Sequence, residues 1–94
     1  MIVPYKRQAI GHTSRVKFTI DWVDALSEGD LPVSATWSAP KGAIVSGDLT
    51  GTLATVTFDA TGSQVGDTIP LTCRITTKTK QEDERTIVLS AIDR

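Results

Sequence analysis

The chain has 94 residues, a formal net charge of −1 at neutral pH, 39% apolar residues and only 5% aromatic ones. A single domain of this size buries only about two-thirds of its unfolded surface, so a few large side chains must carry the core. The charge balance excludes an electrostatic grip on nucleic acid, and no apolar run approaches the ~20 residues of a membrane span.

The single cysteine rules out an internal disulfide, and the first residues, MIVPYKR, lack the apolar core of a signal peptide. Both fit synthesis in a reducing cytoplasm. Residues 1–14 hold no clear period. They read as a first edge strand or as an arm that orders only against a partner, with the main domain at 15–94. Ile2, Val3 and Tyr5 are apolar and need covering, and Lys6 and Arg7 favour an acidic surface. These five are the candidate partner-binding residues.

Residues 15–21, RVKFTID, alternate cleanly, with Val16, Phe18 and Ile20 on one face; this predicts a strand with one solvated side. The stretch 21–37 follows and holds both tryptophans. Asp21 followed three residues later by Asp24 looks like a helix N-cap with a capping-box-like partner, and Gly29 suits a helix end. The spacing predicts about one and a half helical turns at 22–27, with Trp22 and Leu26 on one side. Pro32 opens a strand in which Val33, Ala35 and Trp37 alternate with Ser34, Thr36 and Ser38. Trp22 reads as a plug at the end of the core and Trp37 as a core residue.

Ala39-Pro40-Lys41-Gly42 is a turn. A short strand is expected at Ala43–Ser46, ended by Gly47-Asp48. Residues 52–59 place Ala54, Val56 and Phe58 on one face, and a turn-rich loop follows to Asp67. Residues 68–77 form a long strand with Ile69, Leu71, Cys73 and Ile75 inward, Cys73 behaving as a small apolar residue. Pro70 must lie where its missing N–H costs nothing. Lys78–Asp83 is a charged tip, with lysines expected opposite acids. Residues 84–92 complete the series, with Ile87 and Leu89 inward. About seven short strands, turns every 8–12 residues and no long helical period predict an all-β antiparallel sandwich.

Chemistry is hard to place on this frame. Asp21, Asp24, Glu28 and Asp30 do not follow a calcium-loop spacing; capping and turn roles account for Asp21, Asp24 and Asp30. His12 stands alone, in the least regular segment, so neither a catalytic triad nor a zinc site can be built on it. The acids sit on corners and a hairpin tip, where paired carboxylates lack a cleft. No catalytic residue, metal or cofactor is expected.

The series Asp21, Trp22, Asp24, Leu26, Gly29, Asp30, Ser34 and Trp37, with Asp83-Glu84-Arg85-Thr86 before the last strand and Asp93-Arg94 at its close, resembles a family of small tailed-bacteriophage proteins. These are described as fibre–tail adaptor or neck proteins of immunoglobulin-like fold. The resemblance implies a non-enzymatic virion structural protein, present in several copies, whose partners are neck, portal, tail or fibre proteins. A capsid decoration protein and a carbohydrate- or adhesin-type binding module are the alternatives. It also marks Arg85 as a partner for the acids of the 21–30 corner. The expected location is the virion, after synthesis in the host bacterial cytoplasm.

Overall fold

A computed structural model describes residues 5–93. Seven strands, β1 (Lys6–Gly11), β2 (Arg15–Asp21), β3 (Pro32–Ser38), β4 (Ala43–Thr50), β5 (Leu53–Asp59), β6 (Thr68–Thr77) and β7 (Glu82–Ile92), form two sheets. One sheet has the order β1-β7-β6-β3, the other β2-β5-β4. All pairings are antiparallel except β1 with β7. This is the expected immunoglobulin-like sandwich.

The core is the set of alternating positions read from the sequence. Phe18, Ile20, Trp37, Val56, Phe58, Leu71, Cys73, Ile75, Ile87 and Leu89 are buried between the sheets. Val16 is an exception: it is only partly buried, because it lies near the start of a strand with no neighbour on one side. Of the two readings of the N-terminal stretch, the structure places Lys6–Gly11 as an edge strand beside β7, with Ile10 in the core. Ile2 and Val3 lie outside the described residues.

Three elements differ from expectation. The helical stretch is a single 3-10 turn, Val23–Ala25, closed by Ala25 N–H to the Trp22 carbonyl at 2.9 Å. Leu26 is already extended, which turns its side chain against the core. β4 does not stop at Gly47-Asp48 but runs to Thr50. Gly47 is there for space: a Cβ on it would stand 3.3 Å from Cδ1 of Trp37. At the hairpin, the lysines sit in the turn, and the acids Glu82 and Glu84 instead meet Arg74, because the β6–β7 register sets Arg74 opposite Glu84. Pro70 pairs with Val88 at a level that β3 does not reach, so its missing N–H breaks no ladder bond.

Candidate interaction site

One end of the sandwich gathers the segment after β2, the β4–β5 turn, the β6–β7 hairpin and Tyr5. Trp22 is fully buried and acts as the plug. Arg85 belongs to the inward-facing row of β7, two residues before Ile87, and there its side chain closes over Trp22. Its guanidinium carbon lies 4.7 Å from the centroids of both the Trp22 and the Tyr5 rings, the range of cation–π attraction. Nη2 donates to Asp24 Oδ1 at 2.8 Å and Nη1 to the Asp21 carbonyl at 3.0 Å. The arginine thus grips the corner with both prongs of its fork, one on a carboxylate and one on the backbone.

The acids serve the fold in different ways. Asp21 is not a helix cap of the expected kind: its Oδ1 accepts the Val23 N–H at 3.1 Å and the Thr52 hydroxyl at 2.8 Å, tying the corner to the β4–β5 turn. Asp24 gives no capping box, since Arg85 holds it; that hydrogen bond draws its pKa down. Asp30 is buried and accepts the Thr79 N–H and hydroxyl and the Leu31 N–H, fastening the corner to the hairpin. Burial pushes the Asp30 pKa up, but the bonds from Thr79, Thr77 and Leu31 outweigh it and leave the carboxyl below its ordinary value. Asp24 and Asp30 are therefore ionised acceptors at neutral pH and poorly suited to donate protons in catalysis. Among the described residues, no three His, Cys, Asp or Glu side chains cluster as a metal-binding group.

Beside this network lies an open groove of about 420 Å³, lined by Val23, Leu26, Glu28, Leu31 and Thr52 among others. Val23 is 61% exposed and Leu31 45%. The structure brings together Tyr5, Asp21, Trp22, Leu26, Asp24, Asp30 and Arg85 at this end. Lys6 and Arg7 are exposed on β1, leading away from Tyr5. Trp37 is not part of the site; it packs inside the sandwich, opposite Cys73. Sequence reasoning missed Thr52, Thr79 and the exposed pair Val23 and Leu31.

The sequence model of a family described as podophage GP4 fiber-tail adaptor protein gp77 matches residues 12–90. The chain belongs to this family. The match to the fiber-tail adaptor family takes in β2 to β6 whole and most of β7 and so spans the corner and Arg85, while β1 lies outside the matched segment. It gives the chain a phage structural role. Among curated proteins none matches. A solved structure, the solution structure of the PKD domain from KIAA 1837 protein, superposes with a TM-score of 0.49 at 18% identity, covering 100% of this chain and 85% of that one.

Proposed function

We propose that the chain is a non-enzymatic adaptor of a podophage particle, set in several copies around the neck or tail, where it joins larger components or seats the tail fibres. The extent of the family match, residues 12–90, carries this reading. The end of the sandwich built around Arg85 supports it: acids there are spent on holding the corner, and the groove beside them offers exposed apolar side chains. Ile2, Val3, Tyr5, Lys6 and Arg7 are the partner-binding segment in this reading. Tyr5 lies against Arg85 at the same end, and Lys6 and Arg7 project from an edge strand. Contact of these bases with an acidic neighbour makes attachment weaken with salt. The partners are other virion proteins, and the chain reaches the virion from the host cytoplasm.

The test is to locate the chain in an electron-microscopy map of the particle. Density at the neck or tail, with the Trp22–Arg85 end or the first strand against a neighbouring protein, is the expected result. Density on the capsid lattice would replace the adaptor by a decoration protein, and absence from purified particles would remove the virion reading altogether.

A further inference from the structure

β2 ends its sheet, so among the described residues one side of its backbone has no strand beside it. Hydrogen-bond parity identifies the groups left over. The Ala60 N–H donates to the Ser14 carbonyl and the Trp22 N–H to the Thr52 carbonyl, continuing in both directions the register Val16↔Phe58, Phe18↔Val56, Ile20↔Ala54. Opposed residues of an antiparallel ladder alternate between exchanging hydrogen bonds and not exchanging them. Val16, Phe18 and Ile20 therefore turn their backbone groups to β5. Arg15, Lys17, Thr19 and Asp21 turn theirs to the open side, where, among the described residues, only the Asp21 carbonyl is occupied, by Arg85.

The other outer strands are less suited to pairing. β4 has a register shift between Ile44 and Ser46, and β3 has one after Pro32, interruptions of the kind that blunt an edge. β1 is unbroken, but its sequence KRQAIG carries no acid, so paired with itself it would give Lys6 and Arg7 no match of charge. The free run of β2 is regular along its whole length.

We propose that β2 is a dimerisation edge, on which a second copy of the chain pairs antiparallel about a two-fold axis at Phe18. This register sets Arg15 opposite Asp21 of the second copy, Val16 opposite Ile20, and Lys17 opposite Thr19. It opposes free groups to free groups and uses every residue of the strand. Lys17 and Thr19 exchange both backbone bonds, and the Asp21 N–H donates to the Arg15 carbonyl. The next register in one direction centres on Lys17 and opposes lysine to lysine; the next in the other leaves Arg15 without a counterpart on the strand. Directly opposed side chains share a face, so the apolar row stays over the core and the charged row stays in solvent. Arg15 already meets Asp59 of its own chain at 3.1 Å; the pairing brings Asp21 of the second copy to its other side. The interface is self-complementary, as a two-fold contact requires.

Sedimentation equilibrium on the isolated protein tests this. A concentration-dependent dimer is expected. Thr19→Pro removes a donor on the open side and spares the β2–β5 ladder, so it should abolish the dimer while the monomer still melts cooperatively. Arg15→Asp turns both charge pairs into like-charge pairs and should weaken association about three- to tenfold. The register is read by mixing Lys17→Cys protein with Thr19→Cys protein under mild oxidation. Opposed residues of a bonded pair stand ~5.5 Å apart at Cα, within reach of a disulfide, and Cys73 is buried and does not compete. The mixture should cross-link and either protein alone should not. A monomer at every concentration up to about millimolar, a dimer that persists in folded Thr19→Pro, or equal cross-linking by one cysteine variant alone would overturn the proposal. Dimerisation is read on the isolated protein and stands or falls apart from the chain's place in a particle.

Discussion

Trp37 shows how much one side chain carries in a core with few aromatics. It lies between β6 and β4, opposite Cys73 and against Gly47. Trp37→Ala is expected to cost ~3–5 kcal/mol out of the ~5–10 kcal/mol that a domain of this size has to lose. A denaturant titration reads this directly, and a loss below ~1 kcal/mol, the range of surface substitutions, would refute the core role. Arg85 acts differently, as a lid on a buried indole. Arg85→Ala removes the fork that holds Asp24 and the Asp21 carbonyl and uncovers Trp22. A red shift of tryptophan emission and a lower Tm should follow. Arg85→Lys should recover only part of the Tm, because an ammonium does not bridge two acceptors or stack as a planar guanidinium does. Full recovery by lysine would mean that charge alone suffices. Cys73 is the residue best hidden from chemistry: burial pushes its thiol up to about 11, against a smaller pull from Trp22.

At the scale of elements, β1 decides the standing of the N-terminal stretch. It pairs with β7 along its full length and places Ile10 in the core, yet the family match begins only at residue 12. Deleting residues 1–12 should therefore lower stability sharply, since it uncovers the β7 edge and opens a cavity at Ile10. Deleting residues 1–4 separates contact from folding: a loss of attachment to particles with an unchanged melting curve belongs to contact. A normal melt for the longer deletion would show that β1 contributes nothing to the domain.

The whole molecule carries several carboxylates whose folded environment favours the ionised form. Asp59, bonded by Thr61 and Arg15, is lowered to about 2. Asp67 is lowered by the Gln64 N–H and Lys41, and Asp24 and Asp30 are lowered at the corner. Each binds protons less tightly folded than unfolded, so their contribution is complete above the ordinary value of 3.8 and is lost as pH falls through the folded values toward about 2. The Tm should be level from neutral pH down to about 5 and fall below about 4, and Asp59→Asn should flatten the lowest part of that fall. A Tm that rises on acidification would contradict the assignment. At the corner, Asp21, Asp24 and Asp30 are occupied by Thr52, Arg85 and Thr79, so melting should be equal in millimolar calcium and in chelator. A rise of several degrees with calcium would show that Asp21, Asp24 and Asp30 hold a metal.

The strands were legible in the sequence because a side chain's face follows from its parity along a strand. Val16-Phe18-Ile20, Ala54-Val56-Phe58 and Ile69-Leu71-Cys73-Ile75 could face only one common interior. What parity cannot give is which strand lies beside which, and from that came most of the differences. β1 found its partner in β7, at the far end of the chain: Gly11 pairs with Ile92, and His12 hydrogen-bonds to Ile92 across a separation of 80 residues. Gly47 looked like a break because its role, making room for Trp37, appears only when β4 and β3 are brought together. Asp21 and Asp24 looked like caps because local spacing suggests a helix; Arg85 and Thr52, distant in sequence, claimed them instead. Local alternation determined the core, while the grip on the corner and the open edge of β2 arose only from the packing of strands far apart in the chain.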